Sequence, residues 1–226
     1  MEPRRETHEI GQTRPFASPQ SEQQTPPART HDTMVLAGCM IHTPIDTAGM
    51  SWLSQALHCV PDLEDPPAGT FNNLHMTMQV STFDDIDTCT RIATKTLGLS
   101  SIASIGMREL LVNAVEHGNL GITFDEKSEL LQSGRWQEEI ERRLISPQYR
   151  DKYATVSIRR DDTCFTVIIQ DQGDGFDWGG YLESRDRPGT MLHGRGMSLA
   201  MSAEFAALQY RGTGSEVFVS GKCDRT

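Results

Sequence analysis

Residues 101–118 read Ser-Ile-Ala-Ser-Ile-Gly-Met-Arg-Glu-Leu-Leu-Val-Asn-Ala-Val-Glu-His-Gly, and this stretch decides how the chain is read. At ~100° per residue, Ala103, Met107, Leu110, Leu111, Ala114 and Val115 fall on one apolar face of a helix. Ser100 or Ser101 can cap its start, and the pattern predicts a run to about Glu116 that stops near Gly118. Glu109, Asn113 and His117 follow at four-residue steps and drift only ~40° per step, so they share a stripe. Ile102, Ile105 and Val112 flank that stripe. Polar groups among aliphatic neighbours are costly unless something satisfies them. A metal–phosphate ligand would do so; a polar patch bonded within the fold, or a surface face, would also suffice. Glu116 reads as a solvated or helix-end charge.

Outward from this helix the pattern stays regular. Upstream, Leu74 to Val80 alternates as a strand does, and Ser81-Thr82-Phe83-Asp84 offers caps for a helix from Ile86 to Leu97 ending at Gly98. Thr47 to His58 reads as a further helix with Met50, Leu53 and Leu57 on one face, and Met34 to Ile41 as a short strand. Downstream, residues 125–146 are amphipathic, with Leu130, Leu131, Trp136, Ile140 and Leu144 spaced as on a helix. Two strands follow, Tyr153 to Arg159 and Cys164 to Gln170. A glycine-rich loop spans 171–196, and Gly196 to Glu204 reads as a short helix. Ala207 to Arg211 and Glu216 to Ser220 read as strands joined by Gly212-Thr213-Gly214-Ser215. Helices followed by hairpin-linked strands predict an α+β fold. The expectation is a two-layer sandwich of one mixed, mostly antiparallel sheet with helices on one face.

Two glycine-bearing segments add chemistry. Asp171-Gln172-Gly173-Asp174-Gly175-Phe176 follows directly on an apolar strand. A strand-end Asp can accept a hydrogen bond from an exocyclic amine such as that of adenine, and the glycines suit a backbone passing close to a ligand. A plain glycine turn is the alternative. Gly189 and then His193-Gly194-Arg195-Gly196-Met197 lead into a helix, where exposed N–H groups and the helix dipole favour phosphate. Arg195 can add a charge-assisted contact. No Gly-Lys-Ser/Thr follows and no βαβ unit surrounds it, so neither a Walker loop nor a dinucleotide-binding fingerprint is present.

Composition narrows the class. The 226 residues carry 21 Lys and Arg against 31 Asp and Glu, a net charge of -10 that repels nucleic-acid phosphates. Residues 1–33, rich in Pro, Gln, Ser and Thr, have too little apolar surface to offset the entropy of ordering and read as a disordered tail. Their charge is nearly balanced, so the acidity belongs to the rest of the chain. Residues 34–72 read as an N-terminal extension and linker, and 73–223 as the main domain. No apolar run reaches the ~20 residues of a membrane span, and residues 1–33 lack the apolar stretch expected of a secretory signal. The five cysteines are scattered, without a CxxC pair, which suggests reduced thiols and a cytoplasmic location.

Taken together, Glu109-Leu-Leu-Val-Asn113-Ala-Val-Glu-His117-Gly118, Asp171-Gln-Gly173-Asp-Gly175-Phe176 and Gly194-Arg-Gly196-Met resemble the N box and glycine boxes of the GHKL superfamily of ATP-binding domains. The order and spacing match over about residues 76–220. Within that superfamily the chain looks most like the anti-sigma-factor serine/threonine kinases. The resemblance implies a Bergerat-type fold that binds ATP and Mg²⁺. Asn113 would ligate the Mg²⁺, and Glu109 would be the general base toward a Ser or Thr hydroxyl. Asp171 would bind the adenine amino group, with Gly173 and Gly175 letting the ring approach. Gly194, Arg195 and Gly196 would hold phosphates, residues 177–193 would form a lid, and Thr213 would place a hydroxyl near the adenine. The implied partner is a STAS-like anti-anti-sigma protein, with a sigma factor as a second partner and a homodimer compatible with both. Residues 121–152 exceed what compact relatives need and read as a helical insertion. A nucleotide-gated binding module without catalysis is the alternative, followed by a histidine-kinase catalytic domain.

Overall fold

Strand alternation builds the sheet. In β3 (Leu74–Val80), β4 (Ala154–Arg160) and β5 (Cys164–Gln170), every second residue is buried: Met76 and Met78, Val156 and Ile158, Val167 and Ile169. The computed structural model describes residues 34–36, 39–42, 45–58, 64–67, 69–176 and 205–223. Within these, β1 (Met34–Leu36), β2 (Cys39–Ile41), β6 (Phe205–Arg211) and β7 (Glu216–Lys222) complete a seven-stranded sheet in the order β1-β2-β3-β4-β5-β7-β6. All six pairings are antiparallel, so the expected mixed sheet is antiparallel throughout the described strands. The outer face carries part-exposed Thr155, Ser157, Thr166 and Ser220, which is the one-sided burial usual for an antiparallel sheet.

Helices cover the inner face. In α2 (Phe83–Leu97), Thr82 and Asp85 form a reciprocal capping box, and Gly98 ends the helix at φ 68, where a left-handed residue closes the last turn. Ile86, Ile92 and Leu97 of its buried stripe pack into the same core as Met107, Leu110 and Leu111 of α3 (Ser101–Asn113). The Ser100 hydroxyl accepts from Ala103 N–H and caps α3. Ala103, Met107, Leu110, Leu111, Ala114 and Val115 are all buried, as the periodicity requires.

Four expectations change. The stretch before residue 73 is not set apart: α1 (Thr47–Leu57) and β2 bring Leu53, Ala56, Cys39 and Ile41 into the common core. Met34 to Ile41 forms two three-residue strands paired as a hairpin rather than one strand. The amphipathic 125–146 stretch is two helices, α4 (Phe124–Gln132) and α5 (Trp136–Ile145), because Gly134 between them takes φ 68. Lastly, α3 gives way at Ala114 to a π-helical turn, Ala114–Asn119, with Leu120 N–H bonded to the Val115 carbonyl at 2.9 Å. The expected tail 1–33, the lid 177–193 and the helix 196–204 lie outside the described residues.

Candidate functional site

The C-terminal half of α3, the end of β5 and the β6–β7 hairpin converge on one cleft. Its walls are apolar: Leu110 and Ala114 from the helix, Ile169 and Val217 from the sheet, and the rings of Phe124, Phe176 and Tyr210. Counted with its open mouth and the solvent space there it encloses about 560 Å³, of which about 60 Å³ is cavity proper. Asn113, His117, Asp171 and Ser215 supply the polar groups.

Asp171 sits where β5 runs out of partners. Its N–H donates to the Ser215 carbonyl at 2.9 Å, prolonging the ladder by one bond, and its side chain turns toward the helix. Oδ1 accepts from Gly173 N–H at 2.8 Å; Oδ2 accepts from no other residue among those described. Burial against the cleft pushes the carboxyl up to about 6, and the hydrogen bond from Gly173 only partly offsets this. A carboxylate so placed is short of donors, which is what an amine-bearing ligand would provide.

Asn113 lines the cleft with a half-exposed amide that has no hydrogen-bond partner among the described residues. Glu109, one turn earlier, is half-buried and also unpartnered among them, and it is not part of the cleft lining. Ile102 and Ile105, expected to bury the stripe's flank, are 49% and 50% exposed, so only Val112 does so. His117 is braced by the Ile122 carbonyl through Nδ1 and lies 4.2 Å from the Phe124 ring.

Gly175 lines the cleft, and the glycines here also make close contacts within the fold. A Cβ on Gly173 would sit 2.4 Å from the Gly118 carbonyl oxygen, and one on Gly118 would sit 2.3 Å from the Asp171 carboxyl carbon. Gly175, at φ 81, has the Thr213 carbonyl 2.2 Å from where its Cβ would be. These residues let the 171–176 loop press against the helix end and the hairpin; the space beside Gly173 and Gly175 is taken mainly by backbone, and that beside Gly118 by the Asp171 carboxyl group. Thr213 is exposed, and its carbonyl, which accepts from Phe176 N–H at 2.9 Å, supports the loop. From the same hairpin it is Ser215 that lines the cleft, and the two hydroxyls stand 3.3 Å apart. Gly194, Arg195 and Gly196 lie outside the described residues.

Sequence reasoning missed two residues of the helix end. Glu116, expected in solvent, is fully buried. Its Oε1 accepts from Trp136 Nε1 and its Oε2 from Lys127 Nζ, both at 2.7 Å. Asn119 is buried as well and accepts Gln172 N–H at 2.9 Å through Oδ1. The signal for Asn119 lay next to the Gly118 turn, whereas nothing near Glu116 in sequence marks its partners. Among the described residues no cluster of three His, Cys, Asp or Glu side chains could hold a metal, and no helix is long and apolar enough to cross a membrane. Neither a family model nor a curated protein matches the chain.

Proposed function

We propose that the cleft binds an adenine nucleotide with Mg²⁺. On this reading the chain is an ATP-dependent protein serine/threonine kinase of the anti-sigma, partner-switching type built on a Bergerat-type fold. One observation carries the reading: a donor-poor carboxylate, Asp171, and an unpartnered amide, Asn113, belong to the same apolar, aromatic-walled cleft. Asp171 would accept the exocyclic amine of the base, relieving its desolvation. The rings of Phe124, Phe176 and Tyr210 suit a planar heterocycle. The Asn113 carbonyl oxygen is a hard donor of the kind Mg²⁺ takes alongside water and phosphate oxygens. Mg-ATP, when bound, supplies the phosphoryl group and most of the charge neutralisation that its transfer needs. Glu109 projects from the same helix one turn before Asn113, where it would accept the proton of a Ser or Thr hydroxyl. Gly194, Arg195 and Gly196 would complete the phosphate contacts.

The substrate proposed is a STAS-like anti-anti-sigma protein, since a phosphate placed in such an interface disrupts it by charge and desolvation. A sigma factor is the second partner that this assignment carries. Two experiments test the reading. Calorimetric titration should show Mg-ATP binding to wild type and at least tenfold weaker binding to Asn113→Ala; equal affinities would remove the metal-ligand role. Radiolabel should pass from ATP to a STAS-like protein and be lost with Glu109→Gln; full transfer by that variant would remove Glu109 as base. The absence of Glu109 from the cleft lining favours a second reading, a nucleotide-gated binding module without catalysis. Tight Mg-ATP binding with no transfer to any co-purified partner would select it.

A further inference from the structure

A carboxylate with no exposure needs a reason, and Glu116 has two donors that reach it from outside the main sandwich. Lys127 belongs to α4 and Trp136 to α5, eleven and twenty residues further along. The Trp136 ring also packs edge-on against Phe83 at the start of α2, 5.5 Å between centroids. Arg143 of α5, itself buried, donates from Nη1 to the Leu120 carbonyl at 2.8 Å and pairs with Glu126 and Glu139. The helix pair is therefore fastened at two points to the segment 116–120, the π-helical turn and the residue after it.

That turn faces the cleft on its other side. His117 and Gly118 line it, and Asn119 holds the Gln172 N–H of the opposing loop. Gly118 is in van der Waals contact with the Asp171 carboxyl group and the Gly173 backbone. π turns, with i→i+5 bonds, are rare and occur often at functional sites. Phe124, the first residue of α4, stacks on His117 and supplies a cleft wall.

We propose that Glu116 is a positioning residue for the cleft. Its carboxylate, gripped by α4 and α5, fixes the π turn and, through Asn119 and Gly118, the loop that carries Asp171. The inserted helix pair is then a structural wall of the ligand site and sets its affinity. The consequence for affinity rests on the nucleotide reading above; the mechanical link from Glu116 to Gln172 does not.

The test uses the full chain and two readouts. Hydrogen exchange of the Gln172 amide reports the link with no ligand present, and Mg-ATP calorimetry reports affinity. Glu116→Gln keeps an acceptor for Trp136 but faces Lys127 with a donor. It should raise Gln172 exchange at least tenfold and weaken Mg-ATP binding about tenfold, with wild-type circular dichroism. The double variant Glu116→Gln/Lys127→Gln restores a neutral amide pair and should recover both to within about threefold, which loss of packing alone would not do. Trp136→Phe retains the ring against Phe83 and removes one donor; it serves if Glu116→Gln does not fold, with about threefold effects expected. Unchanged Gln172 exchange in both single variants would overturn the proposal. If wild type fails to bind Mg-ATP while exchange responds as described, the nucleotide reading falls and the positioning role stands.

Discussion

Two Glu–Asn pairs lie on one continuous helical segment and meet opposite fates. Glu109 and Asn113 are half-buried and unpartnered among the described residues, while Glu116 is fully buried and bonded through both oxygens, and Asn119 is buried and bonded through Oδ1, its Nδ2 having no partner among them. The residue types are the same; the surroundings differ. The first pair belongs to the regular α3, whose polar stripe emerges beside an open cleft. The second lies in the π turn, over which α4 and α5 close. A bonded buried carboxylate stabilises the fold it is part of, whereas an unbonded amide in a cleft is held ready for a ligand. On the nucleotide reading proposed above, the first pair serves the ligand and the second the fold.

The largest expected effect tests the structural pair. Removing one member of a buried charge pair leaves the other uncompensated and typically costs 3–5 kcal/mol. Lys127 keeps some access to water, its side chain being 20% exposed, so Glu116→Ala should lose about 3 kcal/mol in urea unfolding. A loss under about 1 kcal/mol would mean that the buried bonds are energetically idle and would break the contrast with Glu109.

The loop facing the π turn comes next. Gly175→Ala must hold a left-handed residue and also push against the Thr213 carbonyl. About 2 kcal/mol of destabilisation is expected. Gly134→Ala is the matched control, at φ 68 with nothing within 4 Å, and should cost about 1 kcal/mol from backbone strain alone. Equal losses in the two would show that the 175–213 contact is not tight in solution.

Much of this arrangement was legible in the sequence, and the illegible part has a common cause. The caps Thr82 and Ser100, the glycine stop at 98 and the hairpin at 212–215 are set by neighbours within four residues, and all appear where the pattern put them. The fate of Glu116 is set by residues eleven and twenty positions away on elements whose packing periodicity does not encode. Gly134 was visible, yet the apolar spacing of Leu130, Leu131, Trp136 and Ile140 runs across it and suggested one helix. β1 and β2, at three residues each, are too short to show alternation. The glycines at 173 and 175 announced a close approach to a ligand, but a sequence does not say what else approaches; here the chain's own backbone does.

Asp171 stands between the two pairs, half structural and half exposed to the cleft. Its carboxyl titrates near 6 in the fold, above the ordinary 3.8, so the folded state holds the proton more tightly than the unfolded chain. Stability therefore rises as pH falls from 7 toward 5 and is lowest where the group is ionised. Because the group is partly solvated, a gain of about 1 kcal/mol is expected after screening. Asp171→Asn keeps an acceptor for Gly173, so it should be more stable than wild type at pH 7 by a similar amount and flatten this pH dependence. On the nucleotide reading it also abolishes Mg-ATP binding, and wild-type affinity falls below pH 6 as the acceptor is protonated. A variant less stable than wild type at pH 7 would show that the ionised carboxylate is satisfied in the fold.

The smallest effect is expected at Glu109, and its smallness is the point. With no hydrogen-bond or ion-pair partner among the described residues and exposed Ile105 one turn away, the side chain gives the fold little. Surface substitutions of this kind change stability by no more than about 0.5 kcal/mol. Glu109→Ala should therefore unfold in urea together with wild type, while any phosphotransfer disappears. A stability loss comparable to that of Glu116→Ala would mean that Glu109 has a structural partner in solution. The distinction between its unpartnered carboxylate and the gripped one seven residues later would then fail at its weaker end, and Glu109 would cease to be a candidate base on stability grounds alone.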